Sequence, residues 1–474
     1  MSEAAGVRAD ASTADPGPGS TAADDAGALT ADELDARDEL AHRRGDFVLD
    51  GTVYLDGNSL GALPRSVPAR IADVVEREWG RLRIRSWNES GWWSAPERIG
   101  DRVAGLVGAG EGQIVVGDST SVNVFKALVG AVRLAREEHG YGSGDGGGRG
   151  AGRDEILVDA ATFPTDGYIA RSAARMTGAT VRAVPVAGMA AAAGPSTAAV
   201  LVNHVDYRTG ELHDLAALTS AVHRAGGRVV WDVCHSAGAL PVELDAAGAD
   251  FAVGCTYKYL NGGPGSPAFL YVRRELQHRF DTPLPGWTSH ADPFAMSDAY
   301  EPGDGAVRGR VGTPDILSML ALEEALKVWD GVDVAAVRAK SLALTDFFLR
   351  QVRAYVPGGR AGRLRLRSLT PEAHQRRGSQ ISLLCEDVAD ADGPDGREDA
   401  AGARRGDVAE DVMNELHARG VVGDHRRPGV LRFGFTPLYT SFADTGRAAR
   451  TLADVVLERG GEVGSRPRRG TGER

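Results

Sequence analysis

Lys258 stands between Tyr257 and Tyr259, where the short apolar run at residues 251–254 gives way to a turn rich in glycine and proline at residues 261–265. A run of that length bounded by turn residues reads as a buried strand, which places the lysine on a tight loop at a strand end. Most lysines are solvated, and a loop lysine beside two packing tyrosines is the plainer reading. A lysine whose ammonium is poorly hydrated instead holds its proton weakly and becomes an amine nucleophile able to attack a carbonyl carbon. What the other strand ends bring to it decides between the two.

Asp232 closes the run Val-Val-Trp-Asp and can pair with a protonated ring nitrogen, Phe163 can stack on a flat ring, and His235 lies near Asp232 in Asp-Val-Cys-His. Residues 118–121, Asp-Ser-Thr-Ser, join a strand-like run at 113–117 to helical spacing at 122–138. Free N–H groups and the positive end of the helix dipole meet the hydroxyls of Ser119, Thr120 and Ser121 there, which suits a phosphate. A carbonyl for the lysine, a ring nitrogen, a ring face and a phosphate are together the groups of pyridoxal 5'-phosphate (PLP), a coenzyme that acts as an electron sink. Each feature keeps a plainer alternative: an ordinary helix cap for the hydroxyls, a turn cap for Asp232. Asp-Val-Cys-His also resembles part of a metal site, but no second His or Cys pair is spaced to complete a tetrahedral shell, so no metal is expected. Gly108-Ala-Gly-Glu-Gly112 precedes a strand where a dinucleotide fingerprint follows one, and no Gly-Lys-Ser/Thr is present.

Strand-like runs at 155–159, 200–203, 228–232 and 251–254 alternate with helical spacing, notably at 215–225. Repeated βαβ units predict an α/β fold whose sheet is mostly parallel, with helices on both faces and ligands at the carboxyl ends of the strands. This larger, coenzyme-binding domain is expected over residues 91–330. Helices at 316–328, 334–352 and 407–419, with strands near 364 and at 379–385, predict a second, smaller α/β domain over 331–460, to which residues 29–90 contribute. Within that N-terminal segment Thr30-Ala-Asp-Glu33 has the spacing of a capping box, and helical spacing runs from 66 to 79. Trp87-Asn-Glu-Ser-Gly-Trp-Trp93 reads as an aromatic loop. Residues 1–28 and 461–474 read as disordered tails, and 141–153 and 390–405 as surface insertions.

The chain has 474 residues of which 42% are hydrophobic, enough for a large core. Its net charge of -11 and pI near 5.6 argue against a nucleic-acid partner and leave no polybasic patch for a membrane surface. No apolar run reaches the ~18 residues of a membrane span, and no secretory leader is present. The three dispersed cysteines, Cys234, Cys255 and Cys385, fit a reducing compartment, read as the cytoplasm.

Five motifs, Tyr54-Leu-Asp-Gly-Asn-Ser-Leu-Gly61, Phe163-Pro-Thr-Asp166, Asp232-Val-Cys-His235, Thr256-Tyr-Lys-Tyr-Leu-Asn-Gly-Gly-Pro-Gly265 and Leu431-Arg-Phe-Gly-Phe-Thr-Pro-Leu-Tyr439, resemble kynureninase in composition and order. The resemblance runs from about residue 40 to 457. It implies a fold-type I PLP enzyme and a homodimer with active sites at the subunit interface. The implied reaction is hydrolysis of L-kynurenine, or its 3-hydroxy form, to anthranilate or 3-hydroxyanthranilate and L-alanine in tryptophan catabolism. Lys258 would then carry the coenzyme, and Tyr257 would contact the phosphate and donate a proton. Thr120 and Ser121 match phosphate positions, Phe163, Pro164, Thr165 and Asp166 the ring face and edge, and Asp232 and His235 the pyridine side. Asn203, Trp287 and Thr313 match further cofactor positions. Arg432 matches the arginine that grips the substrate's α-carboxylate, with Asn58, Ser59 and Trp87 shaping the substrate pocket.

The chain departs from the family in places. Asn203 stands where Ser or Thr is frequent, Thr313 where animal members have Asn, and Thr288 and Ser289 break a Gly-Trp-aromatic-Gly-His pattern. Two other readings remain at this stage. A cysteine desulfurase-like or aminotransferase-like enzyme would share the fold, and a PLP-binding regulator would keep Lys258 without catalysis. The first needs a cysteine on a mobile loop and the second an attached DNA-binding segment, and neither is visible.

Overall fold

The computed structural model describes residues 29–139, 152–388 and 407–461. The expected tails and insertions lie outside these ranges except at residues 152, 153 and 461. The strands in chain order are β1 (Val53–Tyr54), β2 (Ile114–Val116), β3 (Glu155–Asp159), β4 (Thr180–Val184), β5 (Thr197–Asn203), β6 (Arg228–Asp232), β7 (Phe251–Gly254) and β8 (Phe269–Val272). There follow β9 (Arg360–Ala361), β10 (Leu364–Ser368), β11 (Gln380–Asp387), β12 (Val421–Val422), β13 (Asp424–Arg426) and β14 (Val430–Gly434).

Seven strands form one sheet in the order β2-β8-β7-β6-β5-β3-β4. From β7 to β4 every pairing is parallel, while β8 is antiparallel to both β7 and β2. Helices Pro164–Thr177, Val186–Ala192 and Leu215–Arg224 make the crossovers that parallel neighbours require. The loop from β7 to β8, which carries Lys258, holds no helix, and the strand returns antiparallel. Both faces of the sheet are covered. Val229 and Trp231 of β6 enter one core, with Val200 and Val202 of β5, and Val230 and Leu201 enter the other. Period-2 alternation between two apolar cores is why these strands read as unbroken apolar runs.

A second sheet, β13-β14-β11-β10-β9, is antiparallel throughout, and β1 pairs with β12 in parallel beside it. Its core includes Phe348, Leu383, Phe433 and Leu452, and it takes in Val53 and Leu55 from the N-terminal segment. Other parts of that segment go elsewhere: Leu40 and Phe47 pack under the larger sheet, and Val74 packs with Trp92 and Leu320. Thr30 and Glu33 form the expected capping box. The helical stretch after Ser66 is α-helical over Val67–Asp73 and widens to π-helical bonding over Val74–Leu82.

Candidate active site

β5 and β6 end level with each other, Asn203 opposite Asp232, and Asp232 is in register with Val253 of β7. The turn after β7 therefore delivers Lys258 to the same sheet edge as Asn203 and Asp232. Lys258 is half-buried, with Nζ 3.1 Å from His235 Nε2 and 5.9 Å from the Tyr257 ring centroid. Burial, then the charges of Lys258 and Arg432, hold the His235 imidazole well below its ordinary pKa. It is a neutral base, able to accept a hydrogen bond from the lysine ammonium. The Tyr257 phenol is held above its ordinary value, first by negative charge at Cys255 and then by burial, so it keeps its proton.

Two contacts fix the lysine loop. Thr256 Oγ1 donates to Pro267 O at 2.6 Å, tying its ends together. Gly61 N donates to Tyr257 O at 2.8 Å, bracing it from the N-terminal segment. A Cβ at position 61 would lie 2.3 Å from Lys258 O, so this approach requires glycine.

The helix expected from Val122 begins two residues earlier, as Thr120–Glu138, because Ser119 caps it: its hydroxyl accepts from Val122 N at 3.4 Å. Thr120 and Ser121 thus occupy the first turn, where backbone N–H groups have no partner within the helix. Thr120 Oγ1 lies 3.8 Å from Cys234 Sγ, and Cys234 N donates to Asp232 Oδ1 at 2.8 Å. The helix N-terminus, Asp232 and the lysine loop converge on one edge.

Across from Asp232, Asn203 Nδ2 donates to Asp232 Oδ2 at 2.7 Å and to Asp166 Oδ2 at 2.9 Å, while its oxygen accepts from Thr162 Oγ1 at 2.8 Å. Phe163 caps the helix Pro164–Thr177, with Pro164 and Thr165 in its first turn. Its ring is 42% exposed and meets Tyr207 edge-on at 5.2 Å, which leaves a face free to cover a planar ligand.

Arg432, on β14, is 1% exposed. Nη1 donates to Tyr207 O at 2.9 Å, and Nη2 donates to Ser59 Oγ at 2.9 Å and pairs with Asp424. Asn58 is fully buried beside it, with its main-chain oxygen 3.2 Å from His235 Nε2. A Cβ on Gly434 would strike the Asn58 side chain at 2.1 Å. Asp56 completes the cluster: burial pushes its carboxyl up to about 6, against the Ser59 hydrogen bond and with help from Asp424.

An aspartate in the unfolded chain titrates near its ordinary 3.8. Between that value and about 6 the folded chain binds more protons than the unfolded one, so the Asp56 contribution to stability falls as pH rises through this window. Asp56→Asn is expected to flatten that slope and to stabilise the fold at pH 7 by roughly 1–3 kcal/mol. Denaturant unfolding midpoints at several pH values check this, and an unchanged slope would contradict it.

Three expected site residues are not joined to this edge by any hydrogen bond or ring contact among the described residues. Trp87 meets Trp92 and Trp93, and Trp93 in turn meets Trp287 at 5.5 Å, in an aromatic cluster of its own. Thr313 is exposed and lines a cavity of about 260 Å³ whose walls include Asp118 of the turn before Ser119 and Gly265 and Pro267 of the lysine loop, with Lys126, Thr288 and Arg310. Sequence reasoning in turn missed Asp56, Tyr207 and Asp424, which face or hold Arg432. The only signal for Asp56 was its place in the first motif.

The aminotransferase class-V family model matches residues 150–392, and the kynureninase C-terminal domain model matches residues 403–452. Kynureninase from Deinococcus radiodurans is 47% identical over 434 residues, covering 90% of this chain and 96% of that protein. The chain belongs to the kynureninase family. Kynureninase from Burkholderia pseudomallei is 43% identical over 428 residues, covering 89% of this chain and 94% of that one.

Solved structures confirm the fold-type I architecture of this kynureninase-family chain. A mutant enzyme with glycine covalently linked to its PLP cofactor matches with a TM-score of 0.68 at 18% identity, covering 87% of this chain and 99% of that one. The apo cysteine desulfurase from Thermococcus onnurineus matches at 0.67 and 18%, covering 89% and 98%. The enzyme is PLP-dependent. The sheet edge fits that coenzyme: a half-buried amine, a buried carboxylate and an open helix N-terminus are what its carbonyl, pyridine nitrogen and phosphate need.

Proposed function

We infer that this kynureninase-family enzyme hydrolyses the Cβ–Cγ bond of L-kynurenine, with water, to anthranilate and L-alanine. The observation that carries this is the 47% identity over 434 residues with the Deinococcus radiodurans kynureninase. PLP, which Lys258 would hold until the substrate's own amine displaces it and frees Nζ, would supply an electron-withdrawing ring that spreads negative charge from the substrate's Cα. Lys258 Nζ takes the Cα proton, and neutral His235 3.1 Å away receives a hydrogen bond from that amine. Asp232 holds the proton on the pyridine nitrogen, and the first turn after Ser119, with Thr120 and Ser121, binds the phosphate. Tyr257, a phenol at neutral pH, delivers the proton that Cβ acquires as anthranilate leaves. Arg432 binds the α-carboxylate, beside Ser59 and Asn58.

We further propose a cytoplasmic homodimer, in which Trp287 and Thr313 of one subunit complete the coenzyme site of the other and Trp87 backs that wall. The lack, among the described residues, of any hydrogen bond or ring contact from them to Lys258, and the 42% exposure of Trp287, support this. No helix among the described residues is long and apolar enough to cross a membrane. A desulfurase reading is disfavoured because Cys234, Cys255 and Cys385 are all buried. It also rests on fold likeness at 18% identity.

The test is addition of L-kynurenine to the purified holoenzyme with anthranilate fluorescence as the readout. Release is expected, and its absence with kynurenine and with 3-hydroxykynurenine would refute the assignment. Tyr257→Phe is expected to keep the coenzyme and to lower kcat by about 100-fold or more. An unchanged kcat would remove Tyr257 from proton transfer.

A further inference from the structure

Asn203 gives both hydrogens of one amide nitrogen to two different aspartates. Two carboxylate oxygens bound to the same planar nitrogen lie no more than about 5 Å apart. Asp166, Asn203 and Asp232 are 3%, 7% and 7% exposed, so water screens the pair little. Two like charges at that separation in a buried site cannot both be held cheaply. The groups that face the pair from neighbouring elements are Asn203 on β5, Cys234 after β6, and Cys255, Tyr257 and Lys258 on the loop after β7. Lys258 is the one cation in that set.

The two carboxyls are not equivalent. Asp232 also receives Cys234 N–H on its other oxygen. Among the described residues, Asn203 is the one donor to the Asp166 carboxyl. A carboxylate with two donors keeps its charge more readily than one with a single donor. Where one proton must be held, it goes to Asp166.

We propose that Asn203 is a positioning residue that clamps the two aspartates, and that Asp166 enters the site as a neutral acid, leaving a single negative charge on Asp232. Burial, and then the charge on Asp232, push the Asp166 carboxyl well above the ordinary carboxylate range. A serine or threonine hydroxyl at position 203 has one hydrogen to give and could satisfy one of the two carboxyls; the carboxamide satisfies both. The clamp thereby sets the charge opposite the coenzyme's ring nitrogen to match one N–H. That last step rests on the reading that PLP lies between Lys258 and Asp232.

Two measurements on the full-length chain test this. In infrared spectra of the purified chain at pH 8, with and without PLP, a protonated-carboxyl C=O stretch is expected that Asp166→Asn removes; identical spectra would overturn the neutral acid. Equilibrium dialysis against PLP is expected to show coenzyme affinity weakened by about tenfold in Asn203→Ser, which leaves one of the two carboxyls without its amide donor. An unchanged affinity would overturn the clamp. A wild-type chain that bound no PLP would instead overturn the coenzyme reading, while the infrared comparison would still decide where the proton sits.

Discussion

Lys258→Ala is expected to abolish turnover, by at least about 10⁴-fold, and with it the visible absorbance band of lysine-bound coenzyme. The loss is chemical and not structural. Lys258 is half-buried, and among the described residues its side chain hydrogen-bonds only His235 and lies in no ion pair. Its removal frees His235 Nε2 to carry a hydrogen and donate to the Asn58 oxygen, and leaves the loop tied by Thr256 and Gly61. The variant should therefore still fold, melting below the parent only by the loss of the one cation that faces Asp166 and Asp232, while failing to release anthranilate. A variant that cleaved kynurenine at the parental rate would remove Lys258 from the mechanism.

Arg432→Ala has the second large effect, and it falls on two quantities at once. Loss of one charge-assisted contact to the substrate carboxylate, worth roughly 1.5–3 kcal/mol, should raise KM by about 10- to 150-fold. The same change leaves the part-buried Asp424 with Arg426, at 2.8 Å, as its remaining ion-pair partner and removes one of two counter-charges from Asp56. Losing one of two partners in this way costs about 1–3 kcal/mol of stability. Arg432→Lys separates the two effects. An ammonium restores the charge for Asp424 but cannot span Ser59, Tyr207 O and a carboxylate in one plane, so stability should recover further than KM. An unchanged KM in both variants would move the carboxylate site away from Arg432.

The coenzyme half of the site was legible in the sequence because each part of it is local. A strand end followed by a turn marks Lys258 and Asp232, and a strand, hydroxyls and a helix mark the phosphate position, all within a few residues. The start of that helix was misjudged by two positions because the cap is Ser119, and three consecutive hydroxyls offer no way to choose among them. β4 escaped notice because it is the edge strand, with three of its five residues exposed, and carries no apolar run. β13, Asp-His-Arg, is another edge and is wholly polar. What sequence could not show is contact across register. Nothing in the spacing of Asp166, Asn203 and Asp232 says that one amide bridges two acids, because that depends on β5 and β6 ending level. Nor does the spacing of the aromatic residues place Trp287 against Trp93, or say which subunit's coenzyme they face.

The strand pair β1 and β12 has a consequence for how the enzyme comes into being on the ribosome. The strands that carry Lys258 and Asp232 lie in one continuous stretch, residues 114–272, and can assemble as soon as that stretch has emerged. The carboxylate grip cannot. Asp56 and Ser59 follow β1, and their partners Asp424 and Arg432 follow β12, so residues made among the first wait for residues made among the last. Closing so long a loop is slow and comes late. Cleavage activity therefore begins only when the C-terminal strands have been released and β1 has found β12.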